Sequence, residues 1–166
     1  MSIEIVPIQR RHIAAFHALL DAVARERRYL AFLSAPPLAQ ARRFVLNNLR
    51  NGCAQYVALD GERLVGWCDV VPRTQEALRH SGTLGMGVAA THRGQGIGGR
   101  LLDTTLDAAE AGGLSRIDLT VRADNLPAIA LYQRKGFKLE GTLRRYLRVD
   151  GEWFDAHLMA KTGDTH

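Results

Sequence analysis

Residues 83–111 read TLGMGVAATHRGQGIGGRLLDTTLDAAEA, and the two halves of this stretch obey different periods. Leu84, Met86 and Val88 alternate with Gly85, Gly87 and Ala89, the two-residue repeat of a pleated strand. Leu101, Leu102, Thr105, Leu106 and Ala109 recur at the spacing of one helix face. Gly112-Gly113 then supplies a helix stop. Between the halves lies His92-Arg93-Gly94-Gln95-Gly96-Ile97-Gly98-Gly99-Arg100. Its glycines remove Cβ atoms where a strand turns into a helix, and the first N–H groups of a helix have no intrahelical partner. Together with the positive end of the helix dipole they suit an anionic phosphate. The stretch therefore reads as a turn that holds a diphosphate.

Two cofactor patterns compete for that turn. Gly94, Gly96 and Gly99 match G-x-G-x-x-G, the fingerprint of a nicotinamide-dependent oxidoreductase. That fingerprint follows its strand directly and opens a doubly wound half. Here Ala90 to Arg93 intervene, and too little chain follows for another five strands. A Walker loop is absent, because no Lys-Ser or Lys-Thr pair follows the glycines. Arg93-x-x-Gly96-x-Gly98 after the strand LGMGVA fits better: it resembles the pyrophosphate signature of the GNAT N-acetyltransferase superfamily, which binds acetyl-CoA at this turn. A glycine-rich turn with no ligand is the third alternative.

Composition narrows the field. A chain of 166 residues fits one domain spanning 1–166 with a real core. No run of about 18 apolar residues is present, so no membrane span is expected. Met1-Ser2-Ile3-Glu4 lacks a basic-then-apolar leader, which points to a cytoplasmic protein. Cys53 and Cys68 lie at no metal-ligand spacing and read as buried free thiols, with a disulfide between them as the alternative. The six histidines form no ligand pair on a helix, so no metal is expected. The net charge of +5 suits a polyanionic cofactor as well as nucleic acid. The arginines fall in short groups without a basic tract or an aromatic RNA-binding motif, so no nucleic-acid partner is expected.

Taken in order, Ile3 and Ile5 mark a strand broken by Pro7. Ile13, Phe16, Leu19-Leu20 and Val23 mark a helix. Pro37 opens a second helix, with Leu38, Ala41, Phe44-Val45 and Leu49 on its apolar side, and Asn51-Gly52 ends it. Two strands, Ala54–Leu59 and Arg63–Val71, follow around the hairpin signal Asp60-Gly61. Arg73 to Ser81 reads as a loop. Beyond the central stretch, Ser115–Val121 is expected to lie parallel to the central strand through a right-handed crossover. Asn125 caps a helix with Pro127 in its first turn, and Gly136 stops it. Phe137-Lys138-Leu139 is a strand, and Leu143–Val149 and Glu152–Met159 hinge on Asp150-Gly151. Lys161 to His166 reads as a frayed tail. The order is β-α-α-β-β-β-α-β-α-β-β, a mixed α/β domain with helices covering a mostly antiparallel sheet.

A second constellation, Asn125-x-x-Ala128-x-x-Leu131-Tyr132-x-x-x-Gly136-Phe137, resembles the N-x-x-A-x-x-L-Y-x-x-x-G-F run that follows the second parallel strand of GNAT enzymes. Both constellations stand in the family's order with a strand between them. The likeness covers Asp60 to Met159, and the tail Glu140–Arg145 with Asp150–Asp155 is similar to the branch of bacterial ribosomal-protein and small-amine acetyltransferases. The resemblance implies a GNAT-like sheet whose central parallel pair splays apart, with helices on both faces. It implies acetyl-CoA as co-substrate and a primary amine as acceptor: free amino acid, polyamine, aminoglycoside, protein N-terminus or lysine. A homodimer paired through the C-terminal strands is compatible with it.

The same resemblance implies roles. Gln95, Gly96, Ile97, Gly98 and Gly99, with Gly94, would present N–H groups to the pyrophosphate, and Arg93 and Arg100 would add charge there. Main-chain groups of Met86, Gly87 and Val88 would pair with the pantetheine arm as an added short strand would. The Val88 N–H would polarise the thioester carbonyl. Gly85 and Gly87 would permit a bulge that splays the strand. Tyr132 would protonate the leaving thiolate, although an aromatic on an apolar helix face is also ordinary core. Asn125 is a helix cap or a cofactor contact. An alkylammonium near pKa 10 must lose a proton before it attacks, and the central strand offers no carboxylate. Asp69 is the chosen base, with Glu26 and Asp118 as rivals; each of these is otherwise a surface charge or ion-pair partner. Tyr29, Trp67, Tyr146 and Trp153 are candidates to line the acceptor cleft. The rival functions are a non-catalytic acyl-CoA-binding module and the nicotinamide enzyme.

Overall fold

The computed structural model describes residues 2–163. The elements are β1 (Ile3–Pro7), α1 (Ile13–Arg25), α2 (Leu38–Asn51), β2 (Gln55–Asp60), β3 (Arg63–Pro72), β4 (Ser81–Val88), α3 (Ile97–Ala111), β5 (Arg116–Arg122), α4 (Leu126–Arg134), β6 (Lys138–Val149) and β7 (Glu152–Thr162). The strands form one seven-stranded sheet in the order β1-β2-β3-β4-β5-β7-β6. Every neighbouring pair is antiparallel except β4 and β5. The parallel pair is short: Ser81, Gly82 and Thr83 stand opposite Arg116, Ile117 and Asp118, and the pairing goes no further. Asp118, at that fork, is held by Arg73 at 2.9 and 3.0 Å and by Arg116 at 3.3 Å. Beyond it, from Leu84 to Val88, one edge of β4 has no strand partner among the described residues.

The expected bulge at Gly85 and Gly87 is absent. β4 keeps an unbroken register with β3, from Gly82 opposite Pro72 to Val88 opposite Gly66. Gly87 has a packing cause instead, since a Cβ there would penetrate the indole of Trp67 directly across the ladder.

Helices cover both faces, as adjacent strand residues show by pointing opposite ways. Trp67 meets Phe16 of α1 edge-on, with ring centroids 5.8 Å apart. A Cβ on neighbouring Gly66 would stand 2.9 Å from Leu101 of α3, on the other side. Leu101 and Leu102 are fully buried, and each such side chain stabilises the fold by roughly 1.5–3 kcal/mol relative to exposure. α4 lies beside α3, with Lys135 ion-paired to Asp103 at 2.9 Å.

Some expectations shift at element ends. Leu38 and Leu49 are exposed rather than on the apolar side of α2, which buries Ala41, Val45 and Asn48. Leu38 overhangs at the first turn, and Leu49 lies about 100° round the helix from Asn48. The first hairpin turns on Gly61-Glu62, one residue later than expected, because Asp60 pairs with Arg63. Lys161 and Thr162 extend β7, since Ile117 and Arg116 of β5 offer them partners. Residues 164–166 of the expected tail lie outside the described residues.

Candidate active site

The turn after β4 leaves its amides bare. Gly94 and Gly96 take φ of 74° and 81°, a conformation that costs glycine nothing. Gly96 precedes α3 and provides no side-chain cap. The first N–H to bond within this helix is that of Arg100, to the Gly96 carbonyl at 3.2 Å. Among the described residues, no backbone N–H from Arg93 to Gly99 has an acceptor. A Cβ at Gly94 or Gly96 would meet nothing within 4 Å, so the ground in front of the turn is open. The donor set and the space fit a diphosphate.

The side chains of Arg93 and Arg100 do not point their charge into this ground. Arg93 donates to Glu26 at 2.6 and 2.7 Å and to the Val88 carbonyl at 3.0 Å, and lies over the Tyr29 ring at 4.5 Å. The hydrogen bonds with Glu26 hold its guanidinium above the ordinary value. Arg100 donates to the Ile3 carbonyl at 2.8 Å. Both arginines fasten the turn to its neighbours, and their presence at the turn is main-chain.

Neighbouring residues of a strand present their polar groups to opposite edges. The Ala89 N–H donates to Val65 of β3 at 2.8 Å. The Val88 N–H therefore faces the other edge, the one β5 has left, and the Met86 N–H faces the same way. This edge and the turn are continuous along Met86 to Gly99.

Beside the edge lies a pocket of about 220 Å³. Phe16 and Leu20 of α1, Leu30 and Phe32 of the following loop, Phe44 of α2 and Trp67 of β3 form most of its wall, and Gly85 and Met86 join it to β4. Asp69 is its ionisable group. Asp69 is buried, 6% exposed, and makes no hydrogen bond or ion pair among the described residues. Burial pushes its carboxyl up to about 7, so near neutrality it exchanges a proton readily. The rival carboxylates are engaged, Glu26 by Arg93 and Asp118 by Arg73 and Arg116. Of the expected cleft aromatics only Trp67 lines the pocket. Tyr29 lies under Arg93, Trp153 under Arg145 and Arg148, and Tyr146 is exposed.

Tyr132 is the one residue of α4 that is buried outright, against Phe137 with centroids 5.7 Å apart. Burial foremost, and the nearby Cys68 second, hold its phenol above its ordinary value, so it keeps its proton. Asn125 caps α4, its Oδ1 accepting from the Ala128 N–H at 3.3 Å. Cys53 and Cys68 are free thiols, Cys68 buried as expected and Cys53 only half-buried. Among the described residues no cluster of three or more His, Cys, Asp or Glu forms a cation cage, and no helix is long and apolar enough to cross a membrane.

Sequence reasoning missed the pocket's wall and one buried pair. Phe16, Leu20 and Phe44 read as core at helical spacing, and nothing in the spacing shows that the stripe overhangs a cleft. Gln55 stands directly across the ladder from Asp69, buried, with its Oε1 accepting from Asn48 at 3.0 Å and its Nε2 without a partner among the described residues.

Comparison with known proteins returns one family over most of the chain. The family described as "Acetyltransferase (GNAT) family" matches residues 16–137. L-amino acid N-acetyltransferase AaaT of Escherichia coli K12 is 32% identical over 114 residues, covering 68% of this chain and 70% of that protein. The crystal structure of a ribosomal-protein-alanine N-acetyltransferase from Brucella melitensis superposes with a TM-score of 0.90 at 27% identity, over 96% of this chain and 99% of that one. The structure of yncA, a putative acetyltransferase from Salmonella typhimurium with its cofactor acetyl-CoA, has a TM-score of 0.93 at 17% identity, over 100% of this chain and 96% of that one. At that identity the likeness is one of fold.

Proposed function

We propose, on the premise that the chain belongs to the acetyltransferase (GNAT) family and is an acetyl-CoA-dependent N-acetyltransferase, that it acetylates a primary amine carried by a small molecule or a peptide. The names of its relatives include a free amino acid and a ribosomal-protein alanine as acceptors, and both present a primary amine. The observation that carries the residue roles is the unpaired edge of β4, running without a break into a turn whose amides have no acceptor.

Acetyl-CoA supplies a thioester carbonyl carbon for the amine nitrogen to attack. The N–H groups of Gly94, Gln95, Gly96, Ile97, Gly98 and Gly99 would hold its diphosphate at the positive end of α3. The free edge at Met86, Gly87 and Val88 would hold its arm in the manner of an added strand. The Val88 N–H would donate to a carbonyl oxygen lying in the gap, where a fixed donor strengthens as charge develops. Asp69 takes the proton that the acceptor ammonium must lose. Tyr132, kept protonated by burial, would give its proton to the departing thiolate and be restored by the second proton that the attacking nitrogen sheds as the amide forms. Asn125 acts by capping the helix that carries Tyr132. Arg93 and Arg100 act as fasteners of the turn. Positioning of amine and thioester side by side supplies much of the acceleration.

Calorimetric titration with acetyl-CoA and an assay of amine-dependent thiol release test this reading together. Binding with turnover is the expected result. Binding without turnover over a broad amine panel would leave an acyl-CoA-binding module, and stabilisation by NADH but not by CoA would revive the nicotinamide alternative.

A further inference from the structure

We infer that the acceptor is a monoamine on a single bulky apolar group, with its carboxylate absent or masked as an amide. This rests on the N-acetyltransferase reading of the same site. The pocket beside the free edge of β4 is lined by hydrocarbon and aromatic surface: Phe16, Leu20, Phe32, Phe44 and Trp67 present no charge. Its ionisable lining group is Asp69, and no Lys, Arg or His lines it among the described residues.

Each acceptor class meets this wall differently. The free amino acid brings a carboxylate one carbon from the amine. Against these walls that anion loses water and finds no counter-charge, which is strongly unfavourable. The polyamine brings further ammonium groups, and one carboxyl at Asp69 pairs with only one. The aminoglycoside brings many hydroxyls that need hydrogen-bond partners, and among the lining side chains the Gln40 amide and the Trp67 indole N–H are the neutral groups that offer any. An amine on an aromatic or branched apolar group meets none of these penalties. It buries its body against Phe16, Phe44 and Trp67 and leaves its nitrogen for Asp69. A carboxamide in place of the carboxylate carries no charge, and Gln40 can hydrogen-bond to it. At about 220 Å³ the pocket falls below the 300–1,000 Å³ usual for drug-sized ligands, so it takes one side-chain-sized body. That body comes from a small monoamine or from the first residue of a peptide.

A matched panel separates the cases: phenethylamine, L-phenylalaninamide, L-phenylalanine and spermidine, compared by thiol release from acetyl-CoA at equal free-base concentration. The expected kcat/KM for phenethylamine and L-phenylalaninamide exceeds that for L-phenylalanine and spermidine by about 100-fold or more, as expected when a buried charge is left unpaired. The ratio between the first two tells a small monoamine from a masked, peptide-like one. L-Phenylalanine within threefold of its amide, spermidine in the lead, or no turnover of either favoured amine in a protein that binds acetyl-CoA would each overturn the inference. Failure to bind acetyl-CoA would overturn the underlying reading instead. Phe32 lines the pocket but is 51% exposed, so Phe32→Arg adds a cation at the rim without emptying the core. That variant is expected to narrow the gap between L-phenylalanine and its amide at least tenfold, and an unchanged gap would count against the missing counter-charge as its cause.

Discussion

Arg93, at the start of the bare-amide turn, grips Glu26, at the end of α1, with two hydrogen bonds of 2.6 and 2.7 Å. The same guanidinium holds the Val88 carbonyl, so one side chain ties the glycine-rich turn, the end of β4 and the end of α1 together. The pair is about a third exposed, 32% and 29%, so solvent screens it and its contribution to stability is about 1 kcal/mol or less. Glu26→Ala is therefore expected to leave the urea midpoint nearly unchanged while KM for acetyl-CoA rises by about 2- to 5-fold, the equivalent of that energy. An unchanged KM would show that the tie does not order the turn.

Asp69 makes a prediction in both activity and stability. Its carboxyl sits at about 7 in the fold, against an ordinary 3.8. A base must be ionised, so kcat/KM rises with pH through about 7, and Asp69→Asn should lose that inflection along with about 10²-fold or more of rate. Between the two values the folded protein holds a proton that the unfolded chain releases. Stability is then fullest below the unfolded value, falls by about 1.4 kcal/mol per pH unit as pH rises toward 7, and levels off above. Urea midpoints at pH 5 and pH 8 should therefore differ more for the native protein than for Asp69→Asn. Equal differences would place the Asp69 titration elsewhere.

Tyr132→Phe should lower turnover by about 10²-fold and leave acetyl-CoA affinity within a factor of two or so, because only a proton donor is lost. Since the phenol is held above its ordinary value, the native rate should show no alkaline fall from this group below pH 10. Unaltered turnover in the variant would remove Tyr132 as the acid.

Gly96→Val places a branched side chain in front of the bare amides, at a φ of 81°. The backbone conformation alone costs about 1–2 kcal/mol in a non-glycine residue. The Cβ meets nothing of the protein itself, so the loss of acetyl-CoA binding in a titration should exceed this loss of stability. Native affinity in the variant would discredit the turn as the diphosphate site.

Gly87→Ala tests the packing account of β4. Its Cβ would enter the Trp67 ring, and overpacking of a buried site costs about 1–3 kcal/mol. Gly85→Ala, two residues earlier on the same face, comes no nearer than 3.4 Å to Asp69 Oδ1 and should be milder. Equal urea midpoints for the two variants would point back to backbone freedom as the reason for both glycines.

The turn was legible in the chain because its signal is local. Four glycines in six residues, after an alternating strand and before a helical stripe, mark a corner where the chain can turn through left-handed conformations without a Cβ clash, and Gly94 and Gly96 take them. The cap at Asn125 and the hairpin at Asp150-Gly151 were legible for the same reason. The side-chain partners of Arg93 and Arg100 were not, because the carboxylate at Glu26 and the carbonyl at Ile3 lie 67 and 97 residues away along the chain.

By itself the sequence determined the order of the elements, the parallel pair and the bare-amide corner, since period, turn chemistry and helix termini act over a few residues. Only the tertiary structure decided that Asp69, rather than Glu26 or Asp118, is the carboxyl without a partner, and that the stripe of α1 ends over an apolar pocket. Burial and pairing depend on what the rest of the chain brings to a side chain, and no spacing along one strand or helix records that.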